Sequence, residues 1–244
     1  MLKISTKPLN EIWFFRLGLV LLFFFTTTGS APAQNSPFPF PIAETITYTI
    51  KKFGVKVGEA TLTLGGLEKV EARDLYRMTF TAKAPNFFDQ EQIWVEPATL
   101  YPVLVKRNLN IFGKKEKIIE KYDLAKGEIK IRKEAGGKIS EQIITDKRNV
   151  DNIYCFLYRF RMRGEAKKGS TFMVQLPTKN VRIDVRERTQ LKIAKRSYEA
   201  IYLESNPREY KMWFDTSARM IPLRIDGAMG IASTSLVIEG YRTP

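Results

Sequence analysis

The chain has 244 residues, of which 44% are hydrophobic and 12% are aromatic. This suffices for one β-rich domain, or two small ones, with a packed core. Lysine and arginine outnumber aspartate and glutamate by 40 to 26, and histidine is absent. The chain therefore has no Ser-His or Cys-His catalytic pair and no histidine-containing zinc or iron site. The one cysteine, Cys155, cannot form an internal disulfide, and we expect it in the core because it lies in an apolar run.

The first 33 residues predict a secretory signal peptide. Basic residues precede Leu17–Phe25, an apolar run that is too short for a stable transmembrane anchor. Ala31-Pro32-Ala33 places small residues at the two positions that a signal peptidase inspects, so we expect cleavage between Ala33 and Gln34. The alternative is an uncleaved anchor. Cleavage predicts a periplasmic or secreted protein.

The rest of the chain remains strongly basic, and this charge bears on its partners. An exported basic protein meets few nucleic acids, so we expect none as a partner; lipid headgroups and other anionic components of the envelope are the expected ones. The alternative is that the charges only solvate strand faces, since lysines alternate with glutamates, as in Lys114-Lys115-Glu116-Lys117. No cofactor is implied, and the oligomeric state stays open.

Three segments are predicted along the chain: the signal peptide at 1–33, a proline-rich N-terminal arm at 34–42, and a single β domain at 43–244. The arm cannot join the centre of a sheet because proline lacks an N–H donor. The domain begins with a hairpin in which Glu44–Lys51 and Val55–Leu64 flank a turn at Gly54. Further strands are predicted at Tyr76–Lys83, Glu91–Val95, Pro102–Asn108, Lys115–Leu124, Glu128–Lys133, Lys138–Thr145, Thr171–Leu176, Val181–Glu187, Gln190–Ala194, Glu199–Glu204, Arg208–Phe214, Ile221–Ile225 and Ser233–Gly240.

One segment, near 151–163, has helical instead of strand periodicity. Its apolar residues recur every three or four positions, with Asp151 as the expected N-cap and Gly164 as the stop. The members of this apolar set are Ile153, Phe156, Leu157 and Phe160. Short strands with glycine turns on both sides predict an all-β, mainly antiparallel fold: a curved sheet, half-barrel or β-roll with one central helix.

The two β-rich segments around this helix contain a similar motif. Trp94 is followed by Glu96 and, eight residues after the tryptophan, by a proline at 102. Trp213 is followed by Asp215 and, nine residues after the tryptophan, by a proline at 222. The motif suggests two pseudo-repeated halves.

Three motifs in order resemble the DUF3108 family of exported bacterial proteins. Residues 44–64 (ETITYTIKKFGVKVGEATLTL) resemble its opening motif through Gly54 and Gly58. Residues 150–161 (VDNIYCFLYRFR) resemble its central aromatic helix, although Asn152 stands where the family commonly has proline. The end of the chain resembles the closing motif through Trp213, Asp215, Pro222, Ile225, Gly230 and Leu236. The resemblance spans roughly 43–240 and implies a periplasmic all-β protein without an assigned catalytic site or cofactor.

The Trp-acid-Pro hairpin is also similar to hairpins of the lipoprotein-carrier fold, where a curved sheet encloses acyl chains.

Two functions follow as hypotheses. The first is a non-enzymatic periplasmic or cell-envelope protein that binds an apolar or amphiphilic, lipid-like ligand or assists envelope assembly. Its candidate ligand-binding residues are Phe156, Phe160, Trp94 and Trp213. The alternative is a glycan- or lipid-modifying hydrolase that uses carboxylates alone, for which Glu96 and Asp215 are the acids of the two similar hairpins. Because both acids occupy turn positions that bind local backbone donors, we assign no catalytic, cofactor-binding or metal-binding residue.

A pair of phenylalanines, Phe87-Phe88, follows the turn residues Pro85-Asn86. We expect this pair either at an exposed loop tip that enters an acyl layer or folded back as a plug.

Overall fold

A computed structural model describes residues 40–145, 149–164, 167–229 and 233–244. The predicted signal peptide and residues 34–39 of the arm lie outside the described residues. The elements are β1 Thr45–Lys52, β2 Val55–Val70, β3 Arg73–Ala84, β4 Phe87–Val95, β5 Pro102–Ile111, β6 Lys114–Asp123, β7 Glu128–Ala135, β8 Lys138–Ile144, α1 Ile153–Met162, β9 Thr171–Leu176, β10 Lys179–Ile193, β11 Arg196–Asn206, β12 Lys211–Asp215, β13 Pro222–Asp226 and β14 Thr234–Arg242.

All fourteen strands form one antiparallel sheet in the order β8-β7-β6-β5-β4-β3-β2-β1-β14-β13-β12-β11-β10-β9. Two meanders, β1–β8 and β9–β14, are joined where β1 pairs with β14, for example at Ile50 and Leu236. The sheet is not closed, because β8 and β9 are its two edges. For the described part of the chain, the predicted all-β antiparallel fold with one central helix is confirmed.

Successive turns of a meander alternate between the two ends of the sheet, so the β1–β2, β3–β4 and β5–β6 turns share one end. The first of these is a two-residue turn in which Phe53 has φ 50° and Gly54 has φ 85°. Positive φ at both positions is the type I′ geometry that matches the twist of a hairpin. This explains why Gly54 stands at the predicted turn. We call this end of the sheet the β1–β2 end.

The helix packs against the inner face of the curved sheet and joins both meanders into one core. Alternate residues of β1, such as Ile46, Tyr48 and Ile50, are almost completely buried there. Cys155 is fully buried as well. From the helix itself the core takes Ile153, Tyr154, Cys155, Phe156, Leu157, Tyr158 and Phe160.

The structure corrects the predicted start of the helix. Asn152, not Asp151, is the N-cap, and its side-chain oxygen accepts a hydrogen bond from the Tyr154 backbone N–H. Asp151 is fully buried and forms an ion pair with Arg159. Gly164 follows the helix with φ 65°, as expected for a glycine that ends a helix.

Further sequence-based expectations are corrected; for example, the predicted strand Arg208–Phe214 is β12, Lys211–Asp215. The predicted strands Val181–Glu187 and Gln190–Ala194 are one strand, β10, with a register irregularity between Val185 and Glu187. Phe87 and Phe88 are neither a loop tip nor a plug: they begin β4, pair with β3 and are half-buried. The turn before them consists of Pro85 and Asn86 alone.

Gly58 lies in β2 where the neighbouring strand β3 comes very close. A Cβ atom at this position would lie 2.2 Å from the Lys83 carbonyl oxygen and 2.8 Å from the Ala84 Cβ atom. Because the obstructing oxygen belongs to the backbone, the two strands would have to separate.

We expect Gly58→Ala to lower the free energy of unfolding by about 1–3 kcal/mol, the usual cost of overpacking. The matched control is Gly66→Ala in the same strand, where a Cβ would meet Ile42 Cγ2 at an ordinary 3.7 Å. Urea unfolding of both variants measures the difference, and equal stabilities would show that β2 and β3 can move apart without cost.

Candidate functional site

The four predicted ligand-binding residues lie on two faces of the sheet. Phe156 and Phe160 are each 2% exposed and belong to the inner core. Trp94 belongs to a separate cluster with Leu75 and Leu104. Its Nε1 atom donates a 2.9 Å hydrogen bond to Glu68. Of the four predicted residues, only Phe156 and Phe160 therefore lie close to each other.

Trp213 lies on the outer face of β12, between the inward-facing Met212 and Phe214. It is half-buried, stacks on Tyr202 with ring centroids 4.9 Å apart, and lies under the Arg224 guanidinium at 5.0 Å. Its neighbours are thus side chains of the adjacent strands.

The two Trp-acid-Pro hairpins have the same backbone irregularity. In the first, the register shifts after Trp94 so that Val95 pairs with Pro102. In the second, it shifts after Trp213 so that Phe214 pairs with Pro222. The residue two positions before each proline has positive φ: 57° at Leu100 and 46° at Met220. The sequence motif therefore marks a recurring hairpin geometry.

The acids of these hairpins bind groups close to the turns. Asp215 Oδ1 accepts hydrogen bonds from the Ile221 backbone N–H at 2.9 Å and the Ser217 hydroxyl at 2.8 Å. Glu96 is paired with Arg73. Asp215 thus binds donors of its own turn, as expected of an acid in a turn, whereas Glu96 forms an ion pair with a side chain of the neighbouring strand β3.

Phe156 and Phe160 line a cavity of about 440 Å³ between the helix, the β4–β5 turn and β9. Their rings lie 6.0 Å apart, and the ring of Phe172 from β9 lies 5.5 Å from that of Phe160 in an edge-to-face arrangement. Arg159 and Arg163 line the same space. We call this the phenylalanine cavity.

The two arginines of the phenylalanine cavity differ in how their charges are compensated. Arg159 pairs with Asp151 and stacks on Tyr101 at 4.1 Å, yet its buried Nη1 atom has no hydrogen-bond partner among the described residues. Arg163 is exposed and stacks over the Phe172 ring at 4.8 Å. A buried donor without an acceptor is uncommon in folded proteins. The cavity therefore combines aromatic rings with hydrogen-bond donors and positive charge.

A fully buried ion pair fixes the other side of the helix. Arg161 donates two hydrogen bonds to Glu44, at 2.6 and 2.8 Å, and a third to the Arg219 carbonyl at 3.0 Å. Tyr241 donates to the same carboxylate at 2.7 Å. Burial alone would raise the pKa of Glu44, but the hydrogen bonds and charge of Arg161 hold it below its ordinary value.

A second cavity, of about 390 Å³, opens between the inner face of β4–β8, the start of the helix and the β9–β10 turn. Three acids line it: Glu91 from β4, Glu120 from β6 and Asp151 before the helix. Arg107 lies within the same lining. We call this the carboxylate cavity.

The charge of Arg107 at the carboxylate cavity is shared between two acids, Asp89 and Glu91. Arg107 donates two hydrogen bonds to Asp89, at 2.8 and 2.6 Å, and lies 3.8 Å from Glu91. Burial therefore raises the pKa of Glu91 to about 7 against the attraction of Arg107. Burial also raises the pKa of Glu120. Sequence analysis did not select Glu91 and Glu120, because they come from different strands, and it considered Asp151 only as a helix cap.

We expect stability to depend on pH through Glu91. Because its pKa is about 7 in the folded protein and ordinarily 4.5, only the folded state keeps this proton between those values. The free energy of unfolding should therefore fall as pH rises through this window. In Glu91→Gln, the change in the free energy of unfolding between about pH 4.5 and 7 should be smaller than in the wild type by about 1–3 kcal/mol. Each pKa unit corresponds to about 1.4 kcal/mol.

Urea unfolding at both ends of the window, with the exposed Glu134→Gln as control, tests this expectation. An unchanged slope in Glu91→Gln would contradict the assignment of the proton to Glu91.

Within the described residues, no group of three or more cysteine or acidic side chains is placed to hold a metal ion, and no helix is long and apolar enough to cross a membrane.

Comparison with known proteins decides the family. A family model described as "Protein of unknown function (DUF3108)" matches residues 45–237. The chain belongs to the DUF3108 family. The matched residues run from the first residue of β1 into β14, so the DUF3108 match includes both meanders and the helix. No curated protein matches the chain.

Solved structures extend the fold comparison of this DUF3108 member. It is similar to the β-barrel-like protein of domain of unknown function DUF1849 from Brucella abortus, with a TM-score of 0.53 and 8% identity over 84% of this chain and 98% of that one. A second match, a candidate exported protein with a YmcC-like fold from Bacteroides fragilis, has a TM-score of 0.29 and 8% identity over the same shares. The first likeness shows a shared β-barrel-like fold.

Proposed function

We propose that this DUF3108 protein is a non-enzymatic cell-envelope protein that binds an anionic amphiphile in the phenylalanine cavity. One observation carries the proposal: three phenylalanines and two arginines line the same space. The half-buried Phe172 and the exposed Met173 offer apolar surface to an acyl chain above the buried Phe156 and Phe160, while Arg159 and Arg163 offer donors to an acidic headgroup.

Two physical terms contribute to such binding. Burial of an acyl chain against Phe172 and Met173 contributes about 25 cal/mol for each Å² of apolar surface and does not depend on charge screening. Arg163 is exposed, so its attraction for an anionic headgroup weakens as salt shortens the Debye length from about 10 Å at 0.1 M to about 3 Å at 1 M. The two contributions can therefore be measured separately.

The location in the envelope is part of this proposal and rests on the sequence of residues 1–33. Their basic start, apolar run and Ala31-Pro32-Ala33 site support export with cleavage before Gln34. Anionic envelope lipids would then be the natural source of the amphiphile.

Titration of a fluorescent fatty acid at about 0.1 M and about 1 M salt tests the binding proposal. We expect saturable binding, weakened at both salt concentrations by Phe172→Ser and mainly at low salt by Arg163→Gln. Phe112→Asn is the matched control, because Phe112 lies in the β5–β6 turn and does not line the cavity. Absence of saturable binding at both salt concentrations would overturn the proposal.

The carboxylate cavity supports a second candidate function, a hydrolase that uses carboxylates alone. A burial-raised pKa of about 7 lets Glu91 hold a proton at neutral pH, as a general acid must, and Glu120 and Asp151 line the same space. Turnover of chromogenic glycosides or esters that Glu91→Gln abolishes without loss of stability would favour this function. Turnover unaffected by Glu91→Gln, or none at all, would reject it.

A further inference from the structure

Two hairpin turns at the β1–β2 end of the sheet each expose a phenylalanine. Phe53 is 79% exposed in the β1–β2 turn, and Phe112 is 77% exposed in the β5–β6 turn. Each has an exposed apolar neighbour, Val55 at 66% and Ile111 at 36%. We define these two turns, residues 51–56 and 111–115, as the aromatic tips.

Both phenylalanines occupy a backbone conformation that disfavours them. Phe53 has φ 50° and Phe112 has φ 49°, and each is followed by a glycine with φ above 80°. Asparagine or glycine is the usual residue at this first position of a type I′ turn, because bulky side chains clash in the left-handed region. Neither folding nor core packing accounts for a strained, exposed aromatic residue. Its repetition at two turns of one sheet end points to a role outside the protein.

The charged residues directly beside the two phenylalanines in the chain are lysines. Lys51 and Lys52 precede Phe53, and Lys114 and Lys115 follow Phe112 closely. None of these four lysines forms a salt bridge with a described residue. Their charges are therefore available to an anionic surface.

The tips are held in place by backbone hydrogen bonds to their neighbours. The Phe112 N–H donates to the Asn86 carbonyl of the β3–β4 turn at 2.8 Å. The Phe53 N–H donates to the Ser233 carbonyl before β14 at 3.3 Å. Four strand spacings of about 4.8 Å separate the two turns, which corresponds to about 19 Å across a flat sheet.

We propose that the aromatic tips dock the protein on an anionic lipid surface. Phe53 and Phe112 enter the boundary between headgroups and acyl chains, and the lysines beside them bind lipid phosphates. Separate aromatic points flanked by lysines suit a lipid surface, which needs no shaped groove and pairs apolar insertion with attraction for negative headgroups.

This inference is independent of the phenylalanine cavity. Neither Phe53 nor Phe112 lines that cavity, so a failed fatty-acid titration leaves the docking proposal standing, and the reverse also holds.

Co-sedimentation with vesicles tests the proposal on the exported protein, whose N-terminus is first checked by mass spectrometry so that Leu17–Phe25 does not contribute. The vesicles are equal parts phosphatidylglycerol and phosphatidylcholine, or phosphatidylcholine alone. We expect binding to the anionic vesicles that weakens with salt. Phe53→Asn and Phe112→Asn should each reduce it about tenfold or more, because a buried phenylalanine contributes about one to two tenfold steps.

Phe53→Asn and Phe112→Asn should both preserve folding. Asparagine is favoured at this turn position, so the melting temperature of both variants should stay equal or rise. Leu67→Asn, which removes a side chain that is 55% exposed and outside the tips, is the control and should leave binding unchanged.

Three results would overturn the proposal. The first is that the wild-type protein does not bind anionic vesicles. The second is that the Phe53→Asn and Phe112→Asn double variant binds them as well as the wild type does. The third is a wild-type dimer in analytical ultracentrifugation that the double variant dissociates, which would assign the tips to a second copy of the chain.

Discussion

Arg161→Met is expected to lower the free energy of unfolding by about 3–5 kcal/mol, the usual cost of removing one member of a buried ion pair. The variant leaves Glu44 without its cation in a site where both side chains are 0% exposed. Burial, opposed by the hydrogen bond from Tyr241 but no longer by Arg161, then raises the pKa of Glu44. Urea unfolding measures the loss.

The pH dependence of the same variant separates a lost charge from lost packing. With a raised pKa, Glu44 takes up a proton in the folded state, so Arg161→Met should regain stability as pH falls below that pKa. The double variant Arg161→Met with Glu44→Gln should recover part of the loss at neutral pH. A loss below about 1 kcal/mol in Arg161→Met would show that the pair is replaceable.

Trp94→Ala is expected to lower the free energy of unfolding by about 3–5 kcal/mol, as truncation of a buried aromatic side chain does. Trp94 is only 7% exposed, packs against Leu75 and Leu104, and donates its indole hydrogen bond to Glu68. Removing it leaves a cavity on the outer face of β4 and takes the indole hydrogen bond from Glu68, which keeps its ion pair with Arg77. Thermal and urea unfolding both report this change.

Trp213→Ala is the matched control, because it stands at the same position of the second hairpin but is half-buried between Tyr202 and Arg224. We expect Trp213→Ala to lower the free energy of unfolding by about 1–2 kcal/mol, since part of the ring is already in water. Equal losses in the two variants would contradict the difference in burial.

Local patterns were sufficient to predict much of this fold. Alternation in residues 45–52 and the glycine at 54 predict the first hairpin, because a period of two and a positive φ are properties of a few adjacent residues. Helix capping shows the limit of such patterns: Asp151 and Asn152 are both good N-caps. Only the half-buried Arg159, which pairs with the buried Asp151, decides between them.

The candidate sites were less predictable, because they depend on pairing between distant segments. Phe156 and Phe160 were identified from helical spacing, but Phe172, which completes their cavity, is on a different element. Glu91, Glu120 and Asp151 meet only after β4, β6 and the helix have packed.

The exposed phenylalanines show a related limit of local patterns. The consecutive Phe87 and Phe88 begin a strand, whereas the isolated Phe53 and Phe112 occupy turns. A phenylalanine directly before a turn glycine was the signal that could have identified the tips.

Native mass spectrometry of the protein purified from the envelope fraction tests the proposed function most directly. We predict a bound anionic amphiphile that survives gentle ionisation and is lost in Phe172→Ser but retained in Phe112→Asn. A wild-type spectrum with only the mass of the polypeptide, or an adduct that Phe172→Ser retains in full, would contradict binding in the phenylalanine cavity.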